Sequence, residues 1–446
     1  MPQDYQSLND VAAQISELTQ SLTKLLENGN VKQPSFAADS VTRYEGLDGE
    51  MFMTRQKLID AITDMWFLTQ GPSESIFNYA HSAIPDASTL NILNYFDFWA
   101  AVPLDGTATY AQISQKVRLP EDVVYRLLQH AVNLRIFAEV EAEDGSKSIA
   151  HNSRSAAMAK SSGLRGLVSC TLDDAGAPVM LMHESLRKFN LDKPKLTENI
   201  DETAFALLHK NGPYGNHTRI WDFVENDGEG ERKGWRQRQV IEFMKYLKAL
   251  FNLDGIVADA QDWKSAGDAT VVDVGGSAGH DAFELARRFP DLKLIVQDLP
   301  EVEPVFNANL PEDVKDRVSF KVHNFYEPQP VQADIYLLKM ILHDWPDEQS
   351  IKILQALRPG LRTGSRVILF EYIGNQNEEN KKILPRTMQH MGTATDIRIM
   401  GLFNCEERKV EAWSKLFTQA DERFHVVNVK ADPVTFFAVV EAEWRE

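Results

Sequence analysis

The segment Lys339–Glu348, KMILHDWPDE, holds a histidine followed by an aspartate and a tryptophan, with a lysine just upstream. An imidazole that titrates near neutrality can take a proton from a phenol or another hydroxyl, so His343 is a candidate general base. Such a base needs a fixed tautomer, and a carboxylate on the far ring nitrogen supplies one. Two carboxylates further along qualify: Glu371, which closes the apolar run RVILFE, and Glu407, in NCEERKVEAW. A histidine without such company would read as a core residue; this cluster reads as catalytic.

A second group precedes it. The stretch TVVDVGGSAGHDAFELARRFPDLKLIVQDLP, residues 270–300, runs from an apolar segment through Gly275, Gly276 and Gly279 into an amphipathic helix, Phe283 to Phe289, then through Leu292, Leu294, Ile295 and Val296 to Asp298. Strand, tight turn, helix and strand make one parallel βαβ unit. Glycines let the backbone turn sharply and lie close to a bound molecule, beside a helix N-terminus. A carboxylate at the end of the second strand can accept both hydroxyls of a ribose. The unit reads as a nucleoside-cofactor site.

The elements that must position these residues follow in order. Strands are expected at Val318–Val322, Ile335–Leu338 and Arg366–Phe370, with a helix at Asp347–Leu361 and helices to about Ala420. Strands at Phe424–Val429 and Thr435–Val440 meet at an Asp432-Pro433 turn, an antiparallel hairpin on the edge of an otherwise parallel sheet. That ending favours a methyltransferase sheet over a dinucleotide-binding one. Ligands of such sheets lie beyond the carboxyl ends of the strands. Those ends carry Gly275 and Gly276, Asp298, Asn324 and Phe325, Lys339 with His343, Asp344 and Trp345, and Glu371. Together they offer glycine backbone, a ribose carboxylate, an amide and an aromatic face for a base, and a cation near a carboxylate.

Upstream, Leu8, Val11, Ile15, Leu18, Leu22 and Leu25 recur at spacings of three and four, one helix ending at Asn28-Gly29. Its seam can pack on its own subunit or on a second one. Two or three helices follow from Met51 to about Pro103, with Leu58, Ile62 and Met65 on one face. Residues 107–150 read as a helix-turn-helix with a wing: a helix from Thr109, a second from Glu121 to Leu134, and a hairpin from Phe137 to Ile149 around Glu143-Asp144-Gly145. The second helix has as many acids as bases, and the chain carries a net charge of −18, so neither nucleic acid nor an anionic membrane is an expected partner. Residues 153–250 are mainly helical and rich in large side chains.

With 446 residues, 43% of them apolar and 25% charged, the chain has the composition of a soluble globular protein of two or three domains. Two cysteines, Cys170 and Cys405, make neither a disulfide framework nor a metal cluster and suit a reducing compartment, the cytoplasm. The start MPQDYQSLND lacks the features of a signal peptide, and no run reaches membrane-spanning length. The divisions expected are a helix at 1–30, a helical winged-helix domain at 31–160, a helical region at 161–265 and an α/β domain at 266–446.

The ordered runs DVGGSAGH, VQDLP, NFYEP, LLKMILHDWPDE, VILFEYI and CEER closely resemble the plant-type small-molecule O-methyltransferases, and most of all their fungal relatives in secondary metabolism. The resemblance spans about 269 to 441, and the winged-helix region agrees in order and size. It implies a Rossmann-like sheet with a C-terminal antiparallel hairpin, S-adenosylmethionine as cofactor, no metal, and a homodimer whose N-terminal helices close the partner's pocket. By the same resemblance Gly275 lies against the methionine part, Asp298 holds the ribose hydroxyls, Asn324 and Phe325 flank the adenine, and Gly276 and Leu299 also bind the cofactor. Lys339 reaches the cofactor's carboxylate end with Trp345 nearby. His343 is the base, flanked by Glu371 and Glu407, and Asp344 orients the substrate. Asn324 departs from the family, which usually has an acid there. Expected substrate contacts include Met180, Met182, Phe205, His209, Trp221, Phe243, Met388, Met391, Asp396, Met400 and Asn404. Some proteins resembling this family keep the fold yet catalyse dehydration or pericyclic ring formation; the intact His343, Glu371 and Glu407 favour methyl transfer to a phenolic or enolic hydroxyl.

Overall fold

The computed structural model describes residues 6–141, 143–212, 215–251, 255–374, 382, 384–432 and 436–445. The chain divides into two units. The first comprises Met1–Ala177, Trp221–Leu247 and Pro385–Met388, the second Pro178–Ile220, Lys248–Leu384 and Gln389–Glu446.

The first unit opens with the helix Leu8–Asn28, capped by a reciprocal Ser7–Asp10 box and ended at Gly29. Its seam is used in part within the chain. Val11, Leu22 and Leu26 are buried, and the last two pack with Met51 of the next helix, Gly49–Gln70. Leu8 faces solvent. A third long helix, Pro72–Tyr95, and a short one, Phe98–Ala101, follow. The face marked by Leu58, Ile62 and Met65 is covered only in part: Leu58 packs with Leu22, Leu26 and Met51, whereas Ile62 and Trp66 on this helix, and Ile76, Phe77 and Tyr79 on the next, are all at least half exposed.

The helix-turn-helix is present as Tyr110–Val117 and Glu121–Asn133, the first started by a Thr109–Gln112 capping box. The wing is β2 (Phe137–Glu141) paired with β3 (Lys147–His151), and a further strand, β1 (Thr107–Ala108), joins β3. This region is therefore not wholly helical. Leu93, Phe98, Trp99, Ile113, Val124, Leu128, Phe137 and Ile149 form its core.

The second unit is built on seven strands: β4 (Thr270–Val274), β5 (Lys293–Asp298), β6 (Val318–Val322), β7 (Ile335–Lys339), β8 (Arg366–Tyr372), β9 (Phe424–Asp432) and β10 (Phe437–Trp444). Their order is β6-β5-β4-β7-β8-β10-β9, parallel except that β10 runs against both of its neighbours. Val271, Val272 and Val274 of β4 are all buried, as a strand covered on both faces requires. Chain order reverses between β4 and β7, which opens a crevice beyond their carboxyl ends. The closing hairpin lies where expected, although its Pro433 and Thr435 fall outside the described residues. The helix after β7 ends earlier than expected, at Ala356, and gives way to a tight turn at Arg358–Gly360.

Candidate active site

Directly after β4 the backbone turns through Gly275 at φ +73°. Its N–H donates to the Gln297 carbonyl at 2.7 Å, and a Cβ there would lie 2.5 Å from Ile341 Cδ1. Ser277 shares the left-handed conformation, at φ +50°. The turn brings the Ser277 N–H to Asp298 Oδ2 at 2.9 Å, while the Leu299 N–H reaches Oδ1 at 2.8 Å. The carboxylate at the end of β5 is thus fixed by two backbone donors, and each oxygen keeps a lone pair for a further hydroxyl. Burial raises its pKa, and the two N–H groups oppose that. Leu299 is exposed beside it.

Beyond β6, Asn324 is exposed, and its side-chain oxygen accepts the Tyr326 N–H at 3.1 Å in a local turn. Phe325 and Tyr326 meet Trp345 edge to face, with ring centroids 5.9 and 5.3 Å from it. Asn324, Phe325 and Trp345 were expected from the sequence; Tyr326 was not.

Beyond β7, Lys339 Nζ is 2.6 Å from Asp281 Oδ2, in the first turn of the helix His280–Arg288. Met340 then takes φ +52°, an uncommon conformation for a long side chain, and throws the chain into the turn Leu342–Asp344. Two buried charged groups hold that turn. Glu371 Oε1 accepts the N–H groups of Ile341 (3.2 Å) and Leu342 (2.8 Å). Arg408, only 2% exposed, donates to the carbonyls of Leu342 (2.9 Å) and Trp345 (2.6 Å) and to Asp347 Oδ1.

The turn presents a largely buried His343. Its Nε2 lies 3.6 Å from Asp344 Oδ1 and its Nδ1 3.9 Å from Glu407 Oε1, both too long for hydrogen bonds. Glu407 is itself placed by its N–H, which donates to Asp396 Oδ1 at 2.7 Å. Glu407 rather than Glu371 is therefore the carboxylate on the Nδ1 side. Burial works against a charged imidazole, but Asp344, Glu407 and Glu371 outweigh it and lift His343 to about 10. Burial raises Glu371 to about 7, and its Oε2 has no hydrogen-bond partner among the described residues. Imidazoles left slightly short of their carboxylates are common in sites that tighten on substrate.

The expected substrate residues are spread more widely. Met182 packs against Gly401, Met400 is half-buried, and Met180 and Met391 are exposed, all in the second unit. His209 is buried in the same unit and stacks on Phe205 at 4.1 Å. Asp396 holds Glu407, and Asn404 donates to the Asn199 carbonyl. Trp221, Phe243 and Met388 belong to the first unit. Sequence reasoning passed over Asp281, Tyr326 and Arg408. Each stands next to a residue it did name, and Arg408 lies inside the quoted CEER.

A glycine cradle, a carboxylate with free lone pairs, an edge-to-face aromatic cluster and a lysine–aspartate pair, arranged around one crevice, fit a nucleoside bearing an amino-acid tail. Comparison with known proteins agrees. Residues 235–422 match the family described as an O-methyltransferase domain. The chain is 41% identical to the O-methyltransferase lcsG of Purpureocillium lilacinum over 98% of its own length and 94% of that protein. It belongs to the O-methyltransferase family. As a member it is an O-methyltransferase that uses S-adenosylmethionine. Among solved structures, OxaC in complex with sinefungin and meleagrin shares the fold with a TM-score of 0.73 at 21% identity, covering 98% of this chain and 99% of that one. A structure described as a pericyclic reaction enzyme shares it at 0.69 and 18%, covering 98% and 100%.

Proposed function

We propose that this O-methyltransferase methylates a phenolic or enolic hydroxyl of a polyketide- or pyridone-type natural product, with His343 as general base. The observation that carries the reading is His343 set between Asp344 and Glu407 at the end of the strand that also bears Lys339. The names of the relatives support it: lcsG and kk1A are fungal O-methyltransferases.

Gly275 and Gly276 would hold the methionine part of the cofactor, Asp298 and Leu299 its ribose, Asn324, Phe325 and Trp345 its base, and Lys339 its carboxylate. When bound, S-adenosylmethionine supplies an electrophilic methyl group. The protein's task is then to hold an oxygen nucleophile in line and take its proton. His343 accepts the proton at Nε2, and the carboxylates of Asp344, Glu407 and Glu371 stabilise the imidazolium. Their field brings the imidazole close to the pKa of a phenol, about 10, so the transfer needs little driving force. Met180, Met182, His209, Trp221, Met388, Met391, Asp396 and Met400 are proposed to shape the substrate site, with Asp396 acting through Glu407.

The divisions expected from the sequence are part of this reading, as is a homodimer formed through the N-terminal region. The open Trp66, Ile76 and Phe77 faces support the dimer. The reading places the protein in the cytoplasm, which a sequence with two cysteines and no disulfide framework supports; among the described residues no helix is long and apolar enough to cross a membrane.

The test is turnover followed by mass spectrometry, with S-adenosylmethionine and a panel of phenols and pyridones. S-adenosylhomocysteine and a product heavier by one CH2, a methyl in place of the hydroxyl hydrogen, should form together and be lost in His343→Ala. Cofactor bound but unconsumed, with a substrate isomerised or dehydrated, would instead assign the ring-forming chemistry.

A further inference from the structure

The Lys339–Asp281 pair lies between two features of the cofactor site and is explained by neither. Lys339 ends β7, and Asp281 stands in the first turn of the helix that follows the glycine loop. Both side chains are largely buried, with 15% and 23% of their surface exposed, and their charged atoms are 2.6 Å apart. Lys339 has three N–H donors and Asp281 a second carboxylate oxygen, so each can still bind a further group.

The local charge is unbalanced. Asp273, only 3% exposed, is the penultimate residue of β4 beneath the loop, and Asp298 ends β5. Burial lifts Asp273 to about 7; the charges of Asp281 and Asp298 add to this, and that of Lys339 opposes it. Among the described residues, Lys339 is thus the cation set among three neighbouring carboxyl groups. A ligand with surplus positive charge relieves this, and S-adenosylmethionine carries a sulfonium and an ammonium against one carboxylate.

Covalent geometry sharpens the match. In an α-amino acid the ammonium nitrogen and the nearer carboxylate oxygen are about 2.7 Å apart. The Lys339–Asp281 separation is 2.6 Å. Two dipoles of equal length can lie antiparallel, each charge facing its opposite, without opening the protein's own pair.

We propose that Asp281 binds the α-ammonium of the cofactor's methionine part, and that with Lys339 on the carboxylate it forms one receptor for the zwitterion. This rests on the cofactor reading above and extends it from the nucleoside to the amino-acid end. Asp281 reads chemistry that 5′-methylthioadenosine, which has the nucleoside and sulfur but no amino acid, does not offer.

The test is calorimetric binding of S-adenosylhomocysteine and of 5′-methylthioadenosine to the full chain, with no turnover involved. Wild type should prefer S-adenosylhomocysteine. Asp281→Asn should weaken S-adenosylhomocysteine at least tenfold, change 5′-methylthioadenosine by less than twofold, and so erase most of the preference. Asp281→Glu, which keeps the charge on a longer arm, should recover part of it, and thermal melting shows that each variant is folded. Equal weakening of both ligands, or of neither, overturns the assignment and leaves the cofactor reading intact. Wild type that binds neither ligand removes the cofactor reading and the zwitterion receptor together.

Discussion

The guanidinium of Arg408 donates to the carbonyl oxygen of Leu342 at 2.9 Å, from a position almost wholly out of solvent. Leu342 immediately precedes the candidate base, and its N–H is taken by Glu371 at 2.8 Å. The turn under His343 is therefore gripped on its donor side by an anion and on its acceptor side by a cation. Charge-assisted hydrogen bonds are the strong ones, and a fork of five donors can serve several carbonyls where an ammonium cannot.

Replacing Arg408 by Met removes two charge-assisted hydrogen bonds from the Leu342 and Trp345 carbonyls, at about 1.5–3 kcal/mol each, and leaves those oxygens to the Ser350 hydroxyl and, for Leu342, the Trp345 N–H. Displacement of a base by about 1 Å can cost roughly 100-fold in rate. Arg408→Lys should show a smaller stability loss and a drop in kcat near that size, with the affinity for S-adenosylhomocysteine changed less than tenfold. Steady-state kinetics and calorimetry on one preparation check this. Unchanged kcat would mean that the turn holds itself.

The sheet and its cofactor loop were legible because strand periodicity and glycine placement are local signals. Val271, Val272 and Val274 mark a buried strand, and Gly275 marks a turn that no Cβ fits. Asp298 and His343 could be read from topology alone, since strand ends converge. Pairings across the site could not. The sequence offered both Glu371 and Glu407 as partners for His343, and only the fold separates one that grips the turn from one beside Nδ1. It also hid Asp281 and Arg408, whose types are ordinary on a helix and in a loop. The exposure of Ile62 was not legible for a related reason: periodicity reports an apolar stripe, not what covers it.

Gly275→Ala tests the cradle. Its φ of +73° costs an L-residue about 1–2 kcal/mol, and the new methyl would press on Ile341, whose N–H is held by Glu371. Melting should fall by a few degrees, and S-adenosylhomocysteine affinity should fall at least tenfold. Wild-type affinity in a folded variant would show that the cofactor does not lie against this glycine.

The open apolar helix faces predict self-association. Trp66 and Phe77 are 64% and 63% exposed on neighbouring helices, an arrangement that monomers rarely keep. Light scattering behind size exclusion should give twice the chain mass for wild type and the single mass for the Trp66→Glu, Phe77→Glu double variant. A monomeric wild type at micromolar concentration would remove the dimer from the reading.

In the first unit, Arg236 faces three acids: its Nη1 is 2.6 Å from Asp173 and also bonds Asp174, and its Nε is 2.7 Å from Asp227. Burial raises Asp174 to about 6; Arg236 opposes this, and the other two acids add to it. A carboxyl whose folded pKa lies above its unfolded value of about 4 stabilises below that value and loses the contribution as pH rises through 6. Asp174→Asn stays neutral throughout. Its stability relative to wild type should therefore rise between pH 4 and 7, as read by denaturant melts across that range. A constant difference would mean that Asp174 titrates alike in both states.

The pH profile of kcat/KM tests the base itself. With His343 lifted to about 10, the free protein holds imidazolium at neutral pH, and the reactive complex with a phenol has one proton fewer. For a phenol of pKa about 10, log kcat/KM should climb with unit slope through pH 6.5, the ordinary imidazole value, and go on rising past pH 8. Glu407→Gln removes one of the anions holding the proton, so the rise should level off at lower pH even as the maximum rate falls. Stability should move in the same sense. A histidine with a raised folded pKa stabilises fully below about 6.5 and loses that contribution as pH approaches 10, so the destabilisation caused by His343→Gln should shrink over that window. A profile flat from pH 6.5 upward, with no shift in Glu407→Gln, would mean that the carboxylates around His343 do not set its basicity and that another group takes the substrate proton.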